Sequence, residues 1–174
     1  YWTKLSLDAL VVEASDTFAV AGVPWDGSLN CRDNAQSIAG IGLATGDYEK
    51  TASIIRSIAR WQDMRADRPT YGRVADIVRD GAATYNGADV TPWFVREMYE
   101  HVGYANDTGL VKSIYPFIKR SLEGTRQYHT DTSNFLIHGD AETWMNATSG
   151  GKALSPRGNR AVELQLLWFF QQMI

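Results

Sequence analysis

One cysteine, three histidines and no long apolar run set the first limits on this 174-residue chain. A single Cys31 excludes an internal disulfide framework and fits a reducing compartment, so a cytoplasmic location is expected. Histidines this few and this scattered make no metal set. Neither a metal nor another cofactor is expected. No stretch approaches the roughly 18 apolar residues of a membrane span, and no charged-then-apolar signal segment opens the chain. A formal net charge of −3 and a pI near 5.6 leave no basic face for nucleic acid. The chain also lacks a convincing strand run.

What remains is ordinary for a soluble globular chain, with 44% hydrophobic and 21% charged residues. Aromatic residues make up 11%, which suits either a ligand cleft or a generous core. Helical spacing recurs along the chain. It predicts a first helix over 4–20, through Leu7, Leu10, Val11, Ala14 and Phe18, ended by Gly22. A loop from Val23 to Asp33 follows. The second helix carries Ile38, Ile41 and Leu43, with Gly40 and Gly42 permitting close packing. Gly46 and Asp47 read as a stop and an N-cap, and a third helix runs to about Gln62. Residues 63–89 read as a long polar loop, of the kind that is usually functional or disordered. Thr91-Pro92 announces a fourth helix, with Thr91 as its cap and an inner face of Val95, Met98, Tyr99 and Val102. Asp107 or Thr108 caps a fifth, kinked at Pro116 and ending near Tyr128. A sixth begins near Asn159 and is apolar nearly all round, so it is expected to be buried. The expectation is an all-α fold of successive antiparallel helix pairs, with the loops at 23–33, 63–90 and 137–158 gathered at one end.

The chemistry is concentrated between Ile137 and Trp168. Asp140, Glu142, Trp144, Asn146, Arg157 and Glu163 crowd into this stretch. An indole beside carboxylates and guanidiniums suits a sugar ring, whose C–H face lies on the aromatic while its hydroxyls reach the charges. A structural loop capping a helix, with Trp144 in the core, is the plainer reading of the same residues.

Four places give the chain a specific resemblance. Pro24-Trp25 with Cys31-Arg32-Asp33 is similar to a Pro-Trp-Phe loop ending in Gly-Arg-Asp. Thr45-Gly46 opens onto a helix. Tyr85-Asn86-Gly87-Ala88-Asp89 precedes Trp93-Phe94. Glu142-Thr143-Trp144-Met145 is followed by Ser155-Pro156-Arg157 and Val162-Glu163-Leu164-Gln165. In this order they resemble the amylo-α-1,6-glucosidase (glycogen debranching enzyme) family over essentially the whole chain. The resemblance implies an (α/α)6 toroid, a ring of twelve helices, of which this chain covers about half. The rest of the ring is expected beyond residue 174, since the chain ends within a helical pattern at Gln172-Met173-Ile174. The resemblance further implies inverting hydrolysis of the glucose at an α-1,6 branch stub of a glycogen-type α-glucan. A glucoamylase- or trehalase-like α-glucosidase and a non-catalytic α-glucan-binding module are the alternatives.

By resemblance, Arg32 and Asp33 hold the hydroxyls of the terminal glucose, so removing either is expected to weaken binding with little loss of fold. Asn86 and Asp89 line the same subsite, with helix capping the alternative for Asp89. Trp144 and Trp25 are expected to stack on sugar, and Trp93 divides evenly between stacking and core. Asp140, Glu142, Arg157 and Glu163 are further candidates for substrate contact. Glu163, in an apolar helix, needs a partner such as Arg157 or Arg160. The family pattern is Thr-Trp-Met-Asp-Ala, with that Asp as general acid. Here Asn146 stands at the position. An amide keeps the shape of a carboxyl but has no proton to give. The family's base, a Glu, lies downstream of residue 174. The chain as it stands is therefore expected to be inactive.

Overall fold

The structure is a computed structural model that describes residues 1–20, 22 and 25–174. Val23 and Pro24, at the start of the expected first loop, lie outside the described residues. About half of the chain is helical: α1 (Trp2–Leu10), α2 (Cys31–Ile38), α3 (Tyr48–Ala59), α4 (Val90–Ala105), α5 (Thr108–Tyr128) and α6 (Val162–Met173). A π-helical turn, Ala39–Leu43, extends α2. Helices α2, α4 and α6 lie side by side, and α3 and α5 pack against each other and against α4. The main core fills the space between them with Ile38, Ile54, Ile55, Ile58, Phe94, Met98, Leu110 and Ile114, all nearly or fully inaccessible. Each such side chain contributes about 1.5–3 kcal/mol through burial. A second, smaller core of Ala88, Leu136, Ala161, Leu164 and Trp168 lies under α6.

The caps of α3 and α5 follow the sequence. Asp47 accepts from the Lys50 amide, and Asp107 accepts from the Leu110 amide at 2.8 Å. Gly46, at φ 75°, supplies the left-handed turn before α3. Gly42 is closely packed, because a side chain there would run into Thr51 and the Asp47 carbonyl, whereas Gly40 faces open space.

Several expectations are corrected. The first helix stops at Leu10, and Val11–Glu13 (β1) and Thr17–Ala19 (β2) form an antiparallel hairpin. The hairpin is held from outside: the Thr17 amide donates to Ser57 Oγ, and the Asn34 side chain bonds both the amide and the carbonyl of Ala19. Tertiary hydrogen bonds therefore override a helical spacing in which two β-branched residues, Val11 and Val12, already disfavour helix. The 63–89 loop is ordered and contains Ile77–Arg79 (β4) and Ala82–Ala83 (β5), with Leu29–Asn30 (β3) as the third strand. A further hairpin pairs Thr148–Ser149 (β6) with Lys152–Ala153 (β7). Both turns, Asp80-Gly81 and Gly150-Gly151, have positive φ at each central residue. Tight hairpins with the twist of their strands require this, and Asp-Gly and Gly-Gly favour it.

The start of α4 also differs. Its N-cap is Asp89 rather than Thr91, and the hydroxyl of Thr91 accepts instead from the Val74 amide at 2.9 Å. Tyr99 is exposed, and the inner face of the helix runs through Val90, Phe94, Val95, Met98 and His101. Helix α6 starts at Val162, after an Ala161 N-cap. It is not buried all round: Val162, Leu166, Phe169 and Met173 are exposed. Helix α5 runs continuously through Pro116.

The one fully buried acid of α4 has a measurable consequence. Glu97 is 1% exposed, and its Oε2 has no hydrogen-bond partner among the described residues. Burial pushes its carboxyl up to about 7, against the pull of Arg96 and with a further push from Glu100. Between the ordinary value of 4.5 and about 7, the folded chain keeps a proton that the unfolded chain has released. Glu97 therefore makes stability fall as pH rises through that window and level off above it. Denaturant unfolding of Glu97→Gln and its parent should show a difference that grows in the variant's favour by about 2–3 kcal/mol from pH 4 to pH 8. His129, held down to about 4 by burial and Arg73, slopes the opposite way in both proteins and cancels in that difference. A pH-independent difference would contradict the assignment.

Candidate active site

The N-terminal ends of α2 and α4 meet through one guanidinium. Arg32, in the first turn of α2, donates from Nε and Nη2 to the Asp89 carboxylate at 2.8–3.0 Å. Both side chains are buried. Asp76, from the segment before β4, comes within 3.7 Å of the same guanidinium. Its carboxyl is raised by burial, with the attraction of Arg32 opposing. Gly87 closes the cluster, since a Cβ there would press on Asp76, Val90 and Arg32. Arg32 Nη2 also lies 3.5 Å from the Thr143 carbonyl, on the loop before Trp144. The three loops expected at one end thus converge on Arg32.

The 137–161 loop is fastened at several points. The Ala88 amide donates to the Glu142 carbonyl at 2.7 Å, and Arg73 Nη2 donates to the Glu142 carboxylate at 3.1 Å. Arg73 also holds the Tyr85 carbonyl and His129 Nδ1. His138 Nε2 accepts from the Ala161 amide at 2.8 Å, so the proton of this ring sits on Nδ1 and is given to the Gly139 carbonyl. Asp140 accepts from the Gly158 amide at 2.8 Å and closes the loop on itself.

Between this loop, α4 and α6 lies a cleft of about 540 Å³, lined by Gln36, Asp89, Trp93, Trp144, Glu163, Leu166 and Leu167. Trp144 is 56% exposed, too open for a core residue. Arg96 lies over the Trp93 ring at 5.4 Å. Glu163, in the first turn of α6, accepts from Arg157 Nη2 through both oxygens at 2.6 and 2.7 Å. Arg157 also reaches the Met145 sulfur at 3.4 Å. Arg160 pairs with Asp131 instead. Both carboxylates of the cleft therefore arrive already matched to a guanidinium. The walls are largely apolar and the two acids are held in place, as in small-molecule sites generally. A cleft with neutralised charges favours a neutral polyol over an ion.

The structure brings Asp89, Trp144 and Glu163 of the sequence candidates into this cleft, with Arg32 and Arg157 behind the two acids. Asn146 lies on the same loop, two residues past Trp144, and is exposed. Other candidates are elsewhere. Trp25 is 83% exposed and lines a separate groove with Asp26, Trp61 and Arg79. Asn86 and Asp140 are exposed and are not part of the cleft lining, and Glu142 lines a smaller cleft with His129 and His138. Arg32 and Asp33, expected together on the terminal glucose, are not brought together at the cleft. Asp33 is exposed, its amide donates to the Asn30 N-cap, and Arg32 turns inward to Asp89. Sequence reasoning passed over Gln36, one helical turn from Arg32, and Leu166 and Leu167, one turn from Glu163. Both spacings place these residues beside candidates already chosen. Nothing in the sequence points to Arg73 or Asp76.

The six helices among the described residues, with a cleft between α4, α6 and the Trp144 loop, are compatible with a helical glycosidase-type domain. The family model described as amylo-alpha-1,6-glucosidase matches residues 6–173. The chain belongs to that family, which ties it to glycogen-debranching glycosidases. No curated protein sequence matches it. Among the described residues no helix is long and apolar enough to cross a membrane, and no group of three or more His, Cys, Asp or Glu could hold a metal ion.

Proposed function

We propose that the cleft between Trp93, Trp144 and α6 receives the terminal glucose of an α-1,6 branch on a glycogen-type glucan. The observation that carries this reading is the pairing of two indoles with two guanidinium-matched carboxylates, Asp89 and Glu163, in one cleft. The indoles supply faces for the C–H surface of a pyranose. The carboxylates accept from its hydroxyls while Arg32 and Arg157 hold them in place. The reaction class is inverting hydrolysis, in which one carboxyl protonates the leaving oxygen and a second activates water. Asn146 stands at the acid position and withholds the proton, so the chain binds substrate without turning it over. The partner that completes the chemistry is the remainder of a twelve-helix ring with its base.

Tryptophan fluorescence, titrated with a branched α-glucan oligosaccharide, tests the site. Loss of a stacking indole costs about 1–2 kcal/mol, or about tenfold in affinity. Trp144→Ala should show that loss, and Trp25→Ala should bind as the parent does. Equal affinity of Trp144→Ala and parent would remove the cleft from the reading.

A further inference from the structure

We propose that a second pocket, between α3, α5 and the β1–β2 hairpin, binds a phosphomonoester. It encloses about 470 Å³ and shares no lining residue with the cleft at Trp144, so it stands independently of the glucan reading. Arg56, in the last turn of α3, and Arg60, the C-cap of that helix, line it, and no carboxylate does. Arg60 is committed to Asp16 and to the Ser15 carbonyl. Arg56 forms no ion pair among the described residues and is exposed at the pocket. A free guanidinium in a carboxylate-free pocket, on a chain of net charge −3, is a local site for an anion.

The hydroxyls narrow the class. Ser57 Oγ accepts from the Thr17 amide at 2.8 Å, which leaves its own proton free to donate. Ser53 and Thr17 also line the pocket, and neither hydroxyl forms a hydrogen bond among the described residues. Ser113 gives its proton to the Leu110 carbonyl and adds only an acceptor. A carboxylate would be satisfied by the Arg56 fork alone. Several further O–H donors around it suit a tetrahedral oxyanion, which has more acceptor sites to fill. The floor is apolar, made by Ala59, Ile114 and Phe117, and the Phe117 ring is held by Arg120 lying over it at 5.6 Å. An apolar floor beneath an anion-binding rim fits an ester, with the phosphate at Arg56 and a compact body on Phe117.

Calorimetric titration of the full chain with phenyl phosphate tests this, against inorganic phosphate and phenol at matched ionic strength. Phenyl phosphate should bind saturably and more tightly than either half of it. Arg56→Gln should weaken that binding by about tenfold or more, since a hydrogen-bonded charge is lost. Arg56 is exposed, so the variant should keep the parent's circular dichroism. Arg126→Gln, which removes an exposed charge elsewhere on the surface, should bind as the parent does. No saturable binding, an unchanged affinity in Arg56→Gln, or an equal loss in Arg126→Gln would overturn the site. Inorganic phosphate binding as tightly as phenyl phosphate would overturn the monoester assignment.

Discussion

On the proposed function, Asn146→Asp is expected to switch on glucose release from α-1,6 branch stubs in a protein that also supplies the base. The substitution returns an ionisable acid to the loop just past Trp144 and changes little else, because the two side chains are nearly isosteric and residue 146 is exposed. General acid–base catalysis contributes typically about 10²–10⁴-fold. A sugar alkoxide is a poor leaving group, so the gain should lie toward the upper end. The Asp form should lose rate at high pH as the acid ionises, and the Asn form should lack that limb. A glucosyl fluoride needs no proton to depart, so the Asn form should be much less impaired on it than on a branched glucan. Assays of released glucose against pH read all of these. No gain from Asn146→Asp on any α-glucoside, or full-rate cleavage by the Asn form, would show that residue 146 is not the acid position.

The second large effect is on stability. Arg32→Ala should destabilise the fold by about 3–5 kcal/mol, because it leaves Asp89 and Asp76 buried without their cation. This replaces the expectation that Arg32 could be removed with little loss of fold. Restoring neutrality should recover part of the loss, so Arg32→Ala with Asp89→Asn should be more stable than Arg32→Ala alone. Asp33→Ala should have little effect, since Asp33 is exposed. Urea unfolding of the four proteins checks the set. A loss of under 1 kcal/mol in Arg32→Ala would mean that the cluster is not the junction of α2, α4 and the Thr143 loop.

Most of the helical frame was legible because its signals are local. Asp47 and Asp107 cap as their sequence positions suggest, and the apolar spacing of α3 and α5 points at the core. The three hairpins were harder. Asp80-Gly81 and Gly150-Gly151 are local turn signals of the kind that form tight hairpins, but the strands beside them are only two or three residues long and carry no alternating run. The first hairpin had no such signal. Its strands are fixed by Ser57 and Asn34, which lie far along the chain. The site divides in the same way. Trp144 and Glu163 could be chosen from residue type and spacing. That Arg32 serves Asp89 rather than Asp33, and that Trp25 faces a different groove from Trp144, are consequences of packing. The resemblance sets Arg32 and its neighbour Asp33 on one sugar, whereas Arg32 bonds a residue 57 positions away.

The central claim, that glucan enters the cleft at Trp144, is tested most directly by a crystal structure of the chain with a branched α-glucan oligosaccharide. The Asn146 form is suited to it because it should bind without cleaving. The expected density is a pyranose between Trp93 and Trp144, its hydroxyls on Asp89 and Glu163, with the α-1,6 oxygen within hydrogen-bond reach of Asn146. Sugar seated instead in the groove at Trp25, with the cleft at Trp144 empty, would contradict it.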